Sequence, residues 1–249
     1  MSSRLATATR LGFREQRRRP LLIVLLIAVP FFFISRAIAA TVSDPRLVPL
    51  PGGETVLSTM RDVHGATMAG ITIAFLAGLC GLFIMQSALE ADRRLVVAGF
   101  RPLQAVAPRL IVLAAATGLV LAVSVAVTAL SFSPRQWAPF VAANLLIGLI
   151  YGSLGAVAGA VAGRLGGAYL MLFAPMLDLG IAQSPMFGDG SPDAWAQVLP
   201  GYGPGRLLVD ASFADNFHAW SELALSLGWL AAALGAVALL LTRALGRGR

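Results

Sequence analysis

Few residues in this sequence have the types and spacing that catalysis requires. Ser153, in the stretch Tyr-Gly-Ser-Leu-Gly, is a candidate nucleophile, but His64 and His218 both fall outside the apolar segment that contains it. A serine hydrolase needs its base within hydrogen-bonding distance of the nucleophile, so Ser153 is predicted to pack helices instead. The histidines lie near Asp62 and Asp215 without a compact multi-ligand spacing, which argues against a zinc site.

The charged residues and the single cysteine argue against several further kinds of functional site. The chain contains no lysine, so all of the positive charge behind its formal net charge of +7 comes from arginine. A phosphate-binding loop needs a lysine for the outer phosphates and Schiff-base catalysis needs an amine. The single Cys80 provides neither a disulfide partner nor a metal cluster. The arginines are scattered without interleaved aromatic residues, which argues against a nucleic-acid partner. We therefore expect no enzyme activity and no cofactor in this chain.

Most of the chain is apolar. Hydrophobic residues make up 57% of it, charged residues 12%, and the mean hydropathy is +0.79, which does not suit a soluble globule. A bilayer core about 30 Å thick requires roughly 20 helical residues, so each apolar run of that length predicts a membrane-spanning helix. Six such runs occur, approximately 21–41, 67–89, 110–130, 138–162, 166–182 and 221–242. The sequence predicts an all-α integral membrane protein with one transmembrane domain over residues 1–249.

The fifth run contains the acid Asp178 inside an otherwise apolar segment. A charge at that position is expensive, so a functional role is the default hypothesis. Asp178 could bind a cationic substrate, pair with Arg36, or cap a break in the chain near the outer interface. The run is short and contains Pro175, which predicts a helix that breaks before it reaches the outer surface. The two structural roles are favoured.

Arginine placement predicts the orientation, because cytoplasmic loops carry an excess of positive residues. With the amino terminus inside, fourteen of the 19 arginines are cytoplasmic. The other five lie outside or near the outer ends of spans, namely Arg36, Arg46, Arg61, Arg135 and Arg206. An even number of spans keeps the arginines of 243–249 inside. The sequence therefore predicts six spans with both termini in the cytoplasm.

Residues 1–20 predict a cytoplasmic interfacial helix before the first span. One helical face is basic and the other apolar, with Arg10, Arg14, Arg17 and Arg18 opposite Leu5, Ala8 and Phe13. A basic face suits an anionic inner leaflet, and Pro20 would end the helix. The alternative is a disordered positive flank that only sets orientation. No convincing signal-peptide cleavage site precedes Ser43, so the first apolar run is predicted to be retained.

Small residues recur in the fourth apolar run at a spacing that lets helix backbones approach closely. They are Gly148, Gly152, Gly155, Gly159 and Gly163. The spacing is typical either of a tight seam between two copies of the chain or of ordinary packing within one subunit. Both interpretations are retained.

Two segments outside the spans carry further information. The cytoplasmic connection 90–109 predicts a short charged helix that stops around Gly99, with Pro102 beginning the next helix. Its charged residues are Glu90, Asp92, Arg93, Arg94 and Arg101. The external segment 183–220 mixes breaks with apolar and interfacial pieces too short to span, among them Pro185, Trp195, Leu199, Pro200, Tyr202 and Leu207.

The order of these features resembles the membrane subunit of a type-2 ABC exporter, the permease class that includes daunorubicin-type drug exporters. The resemblance covers nearly the whole chain. It implies that residues 1–20 form an elbow helix on the inner membrane face and that the Glu90-to-Pro102 segment is a coupling helix seated on an ATPase. It also implies that 183–220 contains short re-entrant helices near an outer gate. The resemblance also implies a location in a bacterial plasma membrane.

The expected function is the translocation subunit of an ATP-driven exporter of a hydrophobic or amphipathic substrate such as a drug, lipid or peptide. The expected partners are two separate ATPase subunits, which would hold ATP and magnesium, together with membrane lipid and a second copy of this chain or a similar permease. The alternatives are a stand-alone secondary transporter, an intramembrane enzyme, or a non-transporting membrane scaffold. A secondary transporter would usually have more intramembrane ionisable residues and an internal repeat.

The predicted topology can be tested with reporter fusions. Reporters inserted after Gly53 and after Asp189 are expected to be external and one inserted after Gly99 internal, because the arginine distribution places these connections on opposite sides. Paired alkaline phosphatase and fluorescent-protein reporters at each position would measure this. An external carboxyl terminus would contradict six spans.

Overall fold

The computed structural model describes the backbone of residues 20–97, 102–187 and 191–246, and the side-chain surroundings of 24–87, 107–187 and 191–243. The described part is mostly helical, as predicted. Its helices are α1 (Pro20–Ala40), α2 (Met60–Val97), α3 (Pro102–Thr128), α4 (Trp137–Val161), α5 (Gly163–Leu177), α6 (Tyr202–Phe213) and α7 (Trp220–Gly246). A π-helix, Asp178–Ala182, continues α5, and a 3-10 turn, Ala196–Val198, precedes α6.

Five helical segments are long and apolar enough to cross a membrane, which indicates a multi-pass membrane protein. They are Met60–Ser87, Ala107–Thr128, Trp137–Val161, Gly163–Ala182 and Trp220–Arg243. The apolar part of α1, Val24–Ala40, is shorter than a full span within the described residues. Each of the six predicted apolar runs overlaps a helix, although α2 extends seven residues before and eight after the run 67–89, and α3 begins eight residues before the run 110–130. The count of six spans stays a prediction.

A short β-hairpin that the sequence analysis did not predict joins α1 to α2. Strands β1 (Pro45–Pro49) and β2 (Thr55–Thr59) pair antiparallel. The turn between them contains Gly53 at φ +83°, a left-handed conformation that glycine adopts without strain. Val48 is fully buried in a cluster with Val63 of α2 and Val209 of α6. We call this side of the bundle the hairpin end.

Helix α2 is the centre of the bundle and packs most extensively against α4. Glycines allow the two backbones to meet. A Cβ on Gly155 would overlap the carbonyl of Gly78, and a Cβ on Gly81 would overlap the carbonyl of Gly152. The small-residue spacing in α4 therefore serves packing within one chain.

The break between α4 and α5 falls at the last glycine of this series. Gly163 has φ +69°, the left-handed conformation that commonly ends a helix. The chain then turns back as α5, whose side chains are mostly exposed, in contrast to α2 and α4. Lipid or another protein is therefore the natural environment of α5.

The charged connection differs from the prediction at its start. The backbone of 90–97 is the end of α2 and not a separate short helix. The physical reason is that Leu89-Glu90-Ala91-Asp92-Arg93-Arg94-Leu95 contains no glycine or proline to interrupt the helix. Helix α3 begins at Pro102, as predicted. Gly99, Arg101 and residues 1–19, including the predicted elbow helix, lie outside the described residues.

The glycine contact between α2 and α4 predicts a strong asymmetry between two small substitutions. Gly155→Ala should destabilise the folded protein by about 1–3 kcal/mol, because the added methyl group would overlap the backbone of α2. Gly235→Ala, in α7, is the matched control because a Cβ there meets nothing within 4 Å. This control should be neutral or stabilising by up to about 1 kcal/mol. Thermal unfolding in the same detergent measures both; equal stability of the two variants would contradict the close packing.

Candidate functional site

The segment that leads into the candidate site begins with a disturbed helix. Pro175 lies inside α5 and removes a backbone donor, and from Asp178 the helix widens into the π-helix Asp178–Ala182. The backbone N–H of Gln183 donates to the carbonyl of Asp178 at 2.9 Å, which closes the wide turn. The predicted break is thus a widening of the helix at Asp178, and regular helix ends there.

The Asp178 carboxylate is the centre of a buried polar cluster. Only 6% of the residue is exposed. Its Oδ2 accepts the hydroxyl of Tyr151 at 2.5 Å and the backbone N–H of Gly201 at 2.9 Å. Its Oδ1 accepts Nε2 of Gln183 at 3.1 Å. The three donors come from α4, from the end of the π-helix and from the residue before α6, so one carboxylate connects three segments of the chain.

Two further contacts fix the chain just before α6. The side-chain Nε2 of Gln183 also donates to the carbonyl of Ala196 at 2.8 Å. Gly201 has no room for a side chain, because a Cβ there would lie 2.6 Å from Oδ1 of Asp178. Residues 196–201 are therefore held at both ends against the π-helix.

This geometry distinguishes the roles considered for Asp178. Arg36 is exposed and is not among the hydrogen-bond partners of the carboxylate. Both carboxylate oxygens already accept bonds from neutral donors, which leaves Asp178 poorly suited to a cationic substrate. The arrangement favours capping of a chain break, because the carboxylate accepts the backbone N–H of Gly201 at the start of α6.

Helix α6 is enclosed by protein. Every residue from Gly203 to Phe213 is buried, and α6 packs against α4, α7 and α2. The hairpin covers it from one side. Arg206 donates to the carbonyl of Pro49 at 2.9 Å, and Nε of Arg46 donates to the carbonyl of Pro185 at 3.0 Å. Both arginines thereby join β1 to the segment 183–220.

The predicted residues of this segment separate into two groups. Pro185 and Leu207 are buried, and Leu199, Pro200 and Tyr202 are partly buried. Trp195 is exposed, as are Trp137 at the start of α4 and Trp220 at the start of α7. Exposed tryptophans at the first residue of an apolar helix, such as Trp137 and Trp220, are typical of a membrane interface.

A small cavity lies beneath α6 and has room for about one water molecule. Oε1 of Gln183 is buried and has no hydrogen-bond partner among the described residues, which suits a water molecule there. The cavity is too small for a drug-sized substrate. Its lining consists of Thr67, Gly70, Ile71, Ile147, Leu179, Gln183, Gly205 and Leu208.

The structure brings no catalytic constellation together among the described residues. Ser153 donates to the carbonyl of Leu149 at 2.8 Å within its own helix, while Nδ1 of His64 lies 2.6 Å from the hydroxyl of Thr41. No group of three or more histidine, cysteine, aspartate or glutamate residues in 24–87, 107–187 and 191–243 is placed to hold a metal ion. The predicted packing role suits the geometry of Ser153.

The residues predicted for the opposite end lie only partly within the described structure. Glu90, Asp92, Arg93 and Arg94 belong to the last turns of α2, whose backbone is described. Arg10, Arg14, Arg17 and Arg18 fall outside the described residues.

Comparison with protein-family models, curated proteins and solved structures finds no match to this chain.

The Asp178 cluster predicts that one hydroxyl contributes to stability. Tyr151→Phe should lower the free energy of unfolding by about 1.5–3 kcal/mol, because it removes a hydrogen bond to a buried charged group. Tyr169→Phe is the matched control, since Tyr169 is 58% exposed on α5. Chemical unfolding in mixed micelles measures both variants. An equal, small effect of the two changes would show that the Tyr151 hydroxyl does not support Asp178.

Proposed function

We propose that this chain is the translocation subunit of an ATP-driven exporter of the type-2 ABC class, carrying a hydrophobic or amphipathic substrate across a bacterial plasma membrane. The order of elements along the chain carries the proposal. A helix that continues as a charged extension to Val97 precedes α3, and a short buried helix, α6, precedes the last apolar helix. The resemblance drawn from the sequence implies a similar order, although α2 here continues to Val97 where a separate coupling helix was expected.

The extension of α2 suits a partner outside the membrane. The apolar part of α2 ends at Ser87, and the helix continues for about three further turns to Val97. Four charged residues, Glu90, Asp92, Arg93 and Arg94, lie on these turns. Exposed charges give an interface its specificity and association rate, so this extension is the proposed seat of the ATPase subunit. The missing lysine supports the assignment of ATP and magnesium to that partner.

Helix α6 is the proposed outer gate element. Irregular backbone at membrane depth is tolerated where protein buries it, and α6 is surrounded on all its length from Gly203 to Phe213. The Asp178 cluster would hold its first turn, and the hairpin would cover it on the outer side. In this proposal both termini are cytoplasmic and six helices cross the membrane.

A second copy of the chain, or a similar permease, would complete the translocation path. The cavity beneath α6 is too small for a drug-sized substrate, so it is not proposed as the translocation path. Large apolar side chains are exposed on α1 and α5, among them Phe31, Phe32, Phe33, Tyr169 and Phe173. Lipid and the second subunit are the proposed neighbours of these surfaces.

The alternatives receive less support. An ion-coupled secondary transporter needs an intramembrane ionisable group that is open to its ion, whereas Asp178 is occupied by three donors. An intramembrane hydrolase needs a base beside Ser153, whose hydroxyl is bonded to its own helix.

Charge reversal tests the proposed ATPase contact. When the chain is co-expressed with a candidate ATPase subunit, chosen as one whose gene lies beside its own if such a gene exists, the double variant Arg93→Glu and Arg94→Glu should reduce co-purified ATPase by about tenfold. Single changes should do little, since exposed ion pairs contribute about 0–1 kcal/mol each. The measurement is the ATPase-to-permease ratio after affinity purification, followed by ATPase activity in lipid.

The matched control reverses two arginines that the proposal also places in the cytoplasm. Arg164 and Arg243 are both exposed, and their double reversal to glutamate should leave the ratio unchanged. Unchanged co-purification of the Arg93 and Arg94 variant would contradict this contact, and absence of any co-purifying ATPase would contradict the proposed function.

A further inference from the structure

Asp210 and His218 form a second polar cluster at the hairpin end, apart from Asp178. Asp210 lies in the last turn of α6 with a fully buried side chain, whereas the side chain of His218 is about half exposed, at 49%. Oδ2 of Asp210 accepts the backbone N–H of His218 at 3.1 Å. This bond connects α6 to the segment 214–219 that leads into α7.

The other carboxylate oxygen is unsatisfied. Oδ1 of Asp210 is buried, has no partner of normal hydrogen-bond geometry among the described residues, and lies 3.9 Å from Nδ1 of His218. The backbone N–H of Ala219 is also near this carboxyl group and favours its charged form. A buried acceptor without a donor is unfavourable. A protonated imidazole carries a hydrogen on Nδ1, and a small rotation would bring it within hydrogen-bonding distance of Oδ1. A neutral imidazole donates to that oxygen only in the tautomer protonated on Nδ1, and this bond lacks the added strength of a charged donor; the tautomer protonated on Nε2 presents a lone pair instead.

The other charged groups around this site leave Oδ1 open. Arg206, one turn earlier on α6, donates to the carbonyl of Pro49. Glu222 on α7 carries a negative charge that disfavours the charged form of Asp210. Arg135, from the α3–α4 connection, pairs with Asp215.

The turn of the hairpin also contacts His218. It presents Gly52 to His218, where a Cβ would lie 3.6 Å from the imidazole. Burial raises the pKa of Asp210, so this carboxyl group takes up a proton at less acidic pH than an ordinary aspartate. Protonation of this carboxyl group on the acidic side removes the ion pair.

We propose that His218 and Asp210 form a pH-dependent ion pair that fixes the segment 214–219 against α6 when His218 is protonated. Histidine side chains commonly gain this proton between about pH 5 and 8. The stabilisation is present on the acidic side of that range and is lost as pH rises. In the proposed topology this site faces the outside, so external acidity would hold α6 in place beside the last apolar helix.

Hydrogen–deuterium exchange of the full chain in lipid nanodiscs tests this proposal without any ATPase or transport assay. Exchange of peptides covering 214–222 is compared at about pH 6 and pH 8 after correction for intrinsic exchange rates. In the wild type, protection should be about tenfold higher at the lower pH, because a charge-assisted hydrogen bond forms there. Peptides from α4 provide the internal reference.

Two variants decide the result. His218→Gln cannot become charged, and its protection of 214–222 should be the same at both pH values. Asp210→Asn should remove the pH dependence as well; if this variant fails to fold, His218→Gln decides alone. Wild-type pH dependence that persists in His218→Gln, or no pH dependence in the wild type, would overturn the ion pair.

Discussion

The described structure depends on how hydrogen-bond donors compensate one buried carboxylate. Asp178 lies in an apolar bundle and none of its hydrogen-bond partners is a cation, so the carboxylate would be strongly unfavourable without donors. Tyr151, Gln183 and the backbone N–H of Gly201 come from three different segments. Because the carboxylate is satisfied only when all three are in place, the irregular chain before α6 adopts one position. A polar cluster of this kind specifies a unique arrangement where apolar packing alone would allow several.

This cluster is continuous with the rest of the bundle. Tyr151 lies one residue before Gly152, whose carbonyl lies against Gly81 in the glycine contact between α4 and α2. Helix α2 then continues without interruption to Val97. In the proposed exporter, an ATPase that moves the end of α2 would therefore act on the same helix pair that supports Asp178. The segment 183–220 would respond because Asp178 and Gln183 hold its residues 196–201, while Arg46 and Arg206 attach it to the hairpin.

Much of the fold was predictable because apolar run length is a strong local signal, and all six predicted runs overlap helices. Asp178 stood out for the same reason, as an acid in an apolar run. The partners of Asp178 could not be predicted, because Tyr151 and Gly201 lie 27 and 23 residues away in the sequence. A tyrosine or a glycine at those positions does not by itself indicate a contact with an aspartate. The hairpin was missed because Pro45 and Pro49 at the ends of β1 are weak strand signals.

The central claim is that the Asp178 carboxylate holds the start of α6, and exchange of the Gly201 amide tests it most directly. Replacing Asp178 with asparagine removes the charge and keeps only one acceptor oxygen, so the NH2 group faces at least one of the three donors and the remaining hydrogen bonds lose their charge assistance. The account predicts that peptides covering 196–206 exchange at least about tenfold faster in Asp178→Asn than in the wild type, while α2 peptides are unchanged. Asp193→Asn, a change at an exposed acid in the same segment, should have no effect. Wild-type exchange of 196–206 in Asp178→Asn would contradict the account.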